Sequence, residues 1–437
     1  MKRSLSYSIV AACLVGAALY SQPINPVTPG VVSERLNSEL PGWLRLTGEE
    51  RMRFESLSGV GFKDVQDTYL LNRLRFGADI RPMRMVQFIV EIQDARVFGQ
   101  NTLPAPASQK DALDFRLGFL KIGSDESPAT LRVGRQMLYF GEGRVLADPN
   151  WSNVGRTFDA IQLTLRRGPA RLYLFGGSVT KADPVDWDLP APHSRLYGAY
   201  GSVRPRKLAI TIEPYLLIRH DRGLKSEAGA LGILDSRTTG LRLLGNLPFG
   251  VDYGAEAAGQ MGWSAGDRVK AWAGHWVVGQ TLPYPRWKPR YFVELNKASG
   301  DANPRDGVRG GFDPLYPSTH DKLGLTDLFT WTNVVHFRTG AGLALAPKVT
   351  VGAAYNSYWL ANQRDGLYVG GKIVARSADG SAGKHIGRQA DVQAAFNLTK
   401  TTQVNAGYGR LFPGEFLLHA TGGVPYNLVF CNVAQRF

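Results

Sequence analysis

The chain has 437 residues, a formal net charge of +14, 50 glycines, 44% hydrophobic residues and two cysteines. Its length would allow two or three soluble domains, yet no linker, composition break or internal repeat divides it. Beyond residue 21 no run approaches the ~18 apolar residues of a membrane helix, so the mature chain is either soluble or spans a membrane as strands.

Lys2 and Arg3 precede an apolar run from Ile9 to Ala18 and small residues near Ser21, the anatomy of a secretory signal peptide over residues 1–21. The run is too short to cross about 30 Å of hydrocarbon. Cleavage removes Cys13 and leaves Cys431 alone, which excludes an intrachain disulfide and a cysteine metal site. An exported, basic chain points to an anionic surface or cargo rather than to nucleic acid.

Period-two alternation then recurs along the chain. In residues 44–55, Leu44, Leu46, Gly48, Glu50, Met52 and Phe54 oppose Arg45, Thr47, Glu49, Arg51, Arg53 and Glu55. In residues 72–81, Leu74, Phe76, Ala78 and Ile80 oppose Arg73, Arg75, Gly77, Asp79 and Arg81. Leu113, Phe115, Leu117 and Phe119 oppose Asp114, Arg116 and Gly118. Residues 251–260 and 349–359 alternate the same way. The last strand, 427–437, sets Val429, Cys431, Val433, Gln435 and the terminal Phe437 on one side.

The connections alternate in length. Tight turns at 81–83, 124–128, 167–169, 204–207, 247–250, 346–347 and 398–401 separate long polar loops near 96–111, 139–156, 180–193, 220–235, 298–327 and 361–386. Short turns on one side and long loops on the other mark a transmembrane barrel. The expected fold is therefore all-β: an antiparallel up-and-down outer-membrane barrel of about eighteen strands. It would occupy 43–437 after a short periplasmic lead at 22–42, with both termini in the periplasm. Two connections strain the scheme: 262–266 is short for an outer loop, and 280–288 is long for an inner turn. Trp43, Tyr69, Tyr139, Trp272, Trp276, Trp331, Tyr355 and Trp359 are candidates for the interfacial girdles. Phe437 would form the closing edge, paired with the strand that begins near Trp43.

A barrel turns its polar face inward, and one of this size encloses water. Inward parity collects Arg45, Arg51, Arg53, Arg73, Arg75, Arg116 and Arg132, with Glu49, Glu55, Asp79, Asp114 and Glu256 among them. Fixed guanidinium groups offset the dehydration of an anion and can grip carboxylates bidentately, and interspersed acids keep the cargo from sticking. The bland reading is that these charges pair with one another across strands.

Three stretches resemble the alginate-export family of outer-membrane proteins. The first, Leu131–Leu163, carries Gly134-Arg135-Gln136, Gly141-Glu142-Gly143-Arg144, Asn150-Trp151 and Gly155-Arg156-Thr157-Phe158-Asp159. The others are Phe312–Phe329 and the opening strand with Arg51 and Arg53. The resemblance implies a monomeric 18-stranded barrel that conducts anionic polysaccharide and works with periplasmic synthesis machinery, and it needs no cofactor. It adds Arg135, Arg144 and Arg156 to the pore-lining set, near a loop that could fold inward, and Asp159 as a structural counter-charge.

Two other classes compete. An outer-membrane enzyme would need a nucleophile beside a base, but no Gly-x-Ser-x-Gly elbow, His-Glu-x-x-His or phosphate loop is present. A porin for uptake of small organic anions would use the same fold and the same arginines. Catalytic and metal residues are accordingly not expected.

Overall fold

The computed structural model describes residues 31–100, 105–226, 229–284 and 286–437. The signal peptide and the first part of the lead, 22–30, lie outside the described residues. A helix α1, Val31–Glu39, follows, and the Asn37 side chain clasps the first strand, accepting from Leu46 N (2.7 Å) and donating to Leu46 O (2.9 Å).

The first nine barrel strands are β1 Leu44–Ser58, β2 Gln66–Met83, β3 Val86–Phe98, β4 Asp111–Ile122, β5 Ala129–Gln136, β6 Phe158–Arg167, β7 Ala170–Lys181, β8 Ser194–Val203 and β9 Ile210–Lys225. The rest are β10 Leu231–Leu247, β11 Val251–Ser264, β12 Asp267–Thr281, β13 Arg290–Ala298, β14 Val334–Ala346, β15 Val349–Leu360, β16 His385–Asn397, β17 Thr402–Pro413 and β18 Tyr426–Arg436. Two short pieces, Leu189–Pro190 and Val308–Arg309, complete the 20-stranded sheet. Each barrel strand pairs antiparallel with the next. β18 then returns to β1, from Glu49↔Arg436 to Ser58↔Asn427, and closes the barrel without an edge.

Turns and loops segregate to opposite ends as the alternation predicts. The short outer connection is a two-residue hairpin, Ala265-Gly266, with both residues at positive φ, the geometry that matches strand twist. The long inner one spans 282–289. The expected 220–235 loop is mostly strand, because β9 and β10 run on to Lys225 and from Leu231. No described helix is long and apolar enough to cross a membrane, which says nothing against strands.

Outward positions carry the membrane face: Met52, Phe54, Leu74, Phe76, Ile161 and Val293 are all exposed, between buried neighbours. Trp43, Trp272, Trp276 and Tyr355 join them. Tyr69, Tyr139 and Trp331 do not belong to a girdle. Tyr69 donates inward to Glu55 Oε2 (2.5 Å), and Tyr139 and Trp331 sit on loops. Gln435, the polar break in the last strand, bonds Thr401 and Thr402 at the turn end of β17 (3.2 and 2.5 Å). The alternation of β4 slips at a bulge between Arg116 and Leu117, where Glu91↔Leu117 gives way to Ile92↔Phe115. Leu117 is therefore buried and Gly118 exposed, the reverse of the simple parity.

The core is inside the barrel. The 137–157 loop buries Leu138, Phe140, Val145 and Leu146 there, and the 299–333 loop buries Phe312, Leu323, Leu325 and Phe329. The two loops bond each other through Ala147 N to Tyr316 O (2.9 Å), Tyr316 N to Val145 O (3.0 Å) and Ser318 N to Gly143 O (2.8 Å).

Candidate functional site: an arginine wall and two inward loops

The inward rows of β1–β4 form a wall of guanidinium groups. Arg51, Arg53, Arg73, Arg75 and Arg116 are each under 8% exposed. Buried charge at this density needs partners, and the 137–157 loop supplies them. Arg51 donates to Asn150 O (2.6 Å), Ser152 O (3.0 Å) and Asn153 Oδ1 (3.1 Å). Arg53 donates to Trp151 O, stacks 3.8 Å from the Trp151 ring and pairs with Glu55 (2.6 Å). Arg73 joins Glu49 (2.5 Å) to Asn150 O (3.2 Å), and Arg75 joins Gln93 (2.7 Å) to Asn150 Oδ1 (3.1 Å). Arg116 bridges Glu91 and Asp148 (2.5 Å each). Burial would raise the Asp148 carboxyl, but Arg116 and Arg75 more than offset this and hold it below the usual range. These five arginines thus seat a loop instead of lining open water.

Of the motif residues, Arg144 reaches the opposite wall, pairing with Glu294 (2.9 Å) and donating to Asn296 Oδ1 (3.0 Å). Arg156 donates to Pro317 O (3.0 Å) and so ties the two loops together. Arg135 and Asp159 face each other across β5 and β6 and pair at 2.9 Å, but on the outward row with Val133 and Ile161. Three residues apart in a period-two strand, Arg132 and Arg135 cannot share a face. Arg45 is exposed at the turn end and bonds only backbone carbonyls. Asp79 holds Arg81 (2.6 Å) and Gln87 (2.8 Å), and Glu256 accepts from Tyr215 (2.8 Å). Asp114 accepts from Asp188 N (2.5 Å), pinning the 182–193 loop at the rim.

The wall facing the arginines lies beyond the sequence reading. Arg242 pairs with Glu142 (3.0 Å) and Glu213 (2.6 Å), Arg338 with Asp321 (2.8 Å), and His275, Asn296, His336 and Asn356 link into a buried chain. Burial would raise the Glu142 carboxyl, but His275, Arg144 and Arg242 hold it well below the ordinary value. The signal was available in β13, where Arg290, Phe292, Glu294 and Asn296 stand at every second place.

Cations that form no ion pair of their own gather at the turn end of β5–β7, near Asp125, which Lys121 holds at 2.7 Å. Arg132 faces the Phe119 ring (5.7 Å), and Arg166 donates to Thr130 Oγ1 (2.6 Å). Arg171, directly opposite Arg166, is exposed. None of the three has an ion pair among the described residues. Together they make a basic arc at one mouth, where an anion can be held by charge yet leave.

Solved outer-membrane proteins of Pseudomonas aeruginosa share the architecture. OpdK aligns with a TM-score of 0.61 at 11% identity, over 90% of this chain and 98% of its own. OccD3 (OpdP) aligns at 0.62 and 10% identity, over 96% and 97%. OccK2 (OpdF), solved in complex with glucuronate, aligns at 0.62 and 11%, over 90% and 98%. No curated protein matches the chain. The closed barrel and its apolar belt make it an outer-membrane protein, with the turn end in the periplasm and the loop end outside. The alginate export family model matches residues 42–431, and the chain belongs to that family.

Proposed function

We propose that the barrel conducts carboxylate-bearing anions, in the first place an alginate-like polysaccharide moving outward from the periplasm. The basic arc of Arg132, Arg166 and Arg171 at the periplasmic mouth carries this reading, because a polyanion arriving there meets unpaired positive charge before the pore narrows. Membership of the alginate export family supports it. The carboxylated sugar unit is also the chemistry of the glucuronate bound by OccK2, a barrel of the same architecture.

A second reading is uptake of small organic anions. It is favoured by the two loops locked inside the lumen, which suit a compact solute better than a chain. OpdK, of like fold, has been solved with vanillate. Planar-bilayer reversal potentials in a salt gradient test the shared claim, and cation preference would overturn it. Liposomes loaded with uronate oligomers or with monomeric uronate separate the readings: release of oligomers supports export, and release of monomer alone supports uptake.

A further inference from the structure

The outward faces of β10–β13 show a polarity that pore chemistry does not explain. From the loop end downward, the outward row of β12 reads Arg268, Lys270, Trp272, Gly274, Trp276 and Val278. On β13 it reads Lys297, Leu295, Val293 and Tyr291, and on β11 Trp263, Met261, Gly259 and Ala257. Charge stands only at the external end, and lipid-facing apolar groups lie below it. The registers Arg237↔Met261↔Lys270 and Asp235↔Trp263↔Arg268 set Arg237 of β10 level with Lys270 of β12, with β11 between them, while Lys297 of β13 stands opposite Gly274, two outward places below Lys270. Lys297 Nζ lies 5.3 Å from the Trp272 ring. The one acid, Asp235, is 3.8 Å from Arg237, so Arg268, Lys270 and Lys297 have no ion pair among the described residues.

Cations on a lipid-facing surface are costly unless they reach anionic headgroups. We infer that this face binds a phosphorylated glycolipid of the outer leaflet. Its phosphates would sit on Arg268, Lys270 and Lys297, its sugars against Trp263 and Trp272, and its acyl chains along Trp276, Val278, Leu295 and Val293. At the periplasmic ends the outward rows run to Gln280, Tyr291 and Tyr253, and the cations there, Arg286 and Lys288, stand on the 282–289 turn and not on the strands. The inference is independent of the cargo.

The test uses the full-length barrel in mild detergent, with bound lipid counted by native mass spectrometry. The probes are a diphosphorylated lipid A-type glycolipid, its phosphate-free counterpart and inorganic phosphate. The diphosphorylated lipid should bind at least about tenfold more tightly than the phosphate-free one, since each cation near a charged headgroup contributes on the order of 1 kcal/mol. The triple variant R268Q/K270Q/K297Q should lose that margin while keeping its heat-modifiable folded band, and R167Q/K348Q at the periplasmic end should keep it. Equal binding of the two lipids, or an unaffected triple variant, would overturn the assignment. Displacement by millimolar inorganic phosphate alone would reassign the site to free phosphate and overturn the lipid.

Discussion

Phe437 and Gly48 exchange both backbone hydrogen bonds, each 3.0 Å, and the phenyl ring lies over the bare Cα of Gly48. A Cβ at Gly48 would stand 2.1 Å from ring carbon Cε2. The seam therefore closes by fitting the last side chain into the space of a missing one. Gly48→Val should cost about 1–3 kcal/mol through overpacking and slow the appearance of the folded, heat-modifiable band on refolding. Adding Phe437→Ala should recover part of the loss. A double variant no better than Gly48→Val alone would show that the ring is not what the glycine accommodates.

Arg73 is wholly buried between Glu49 and the Asn150 carbonyl. Arg73→Met leaves Glu49 short of its partner and cuts one tether of the 137–157 loop. The loss of stability should be about 3–5 kcal/mol, as for one member of a buried pair. Single-channel recordings should show higher, noisier conductance with little change in permeability ratio, because this arginine holds a loop and does not touch the ions. A lowered anion preference at unchanged conductance would return it to the filter.

The opposite outcome is expected at the periplasmic mouth. Arg132→Glu with Arg171→Glu should move the reversal potential toward cations by several-fold in permeability ratio, more at low salt than at high salt. Both residues lack ion pairs, so the heat-modifiable band should be unchanged. An unmoved reversal potential would place selectivity elsewhere.

The 182–193 loop should loosen as pH rises. Burial, reinforced by Asp114 and only partly offset by the hydrogen bond from Asp183 N, pushes the Asp188 carboxyl up to about 6. That lies above the unfolded value of about 3.9. Its protonated form therefore favours the seated loop below about pH 4, and the contribution is lost as pH rises through about 6. Proteolytic nicking of this loop should be faster at pH 7 than at pH 5, and Asp188→Asn should stay slow at both.

Alternation alone placed Arg51, Arg53, Arg73 and Arg75 on the inner face, because a period of exactly two leaves a strand only two faces. It could not reveal what they do there. Leu138, Phe140 and Leu146 sit in what reads as an outer loop, and nothing local says that such a loop turns inward and buries itself against the arginines. The β4 slip was equally hidden, since one inserted residue leaves composition untouched while reversing every face after it. Arg135 is a different case: a motif marks the residue, but parity sets its face, and parity puts it outward beside Val133.

Glu294 is the joint on which both inner loops meet. Arg144 of the 137–157 loop pairs with it at 2.9 Å. Arg338, 3.8 Å from its other oxygen, holds Asp321 of the 299–333 loop at 2.8 Å. Glu294→Gln removes the charge between two buried guanidinium groups, so it should cost about 3–5 kcal/mol and loosen both loops at this wall at once. Arg144→Met leaves Glu294 paired with Arg338 and should loosen only the Arg144 end of the 137–157 loop, which the β1–β4 arginines still hold. Recordings should show open-channel noise in both variants, with closures of two distinct sizes in Glu294→Gln and of one size in Arg144→Met. A single closure size in both would mean that the loops move as one body, held together by Arg156 and the Tyr316 backbone bonds and not through the wall.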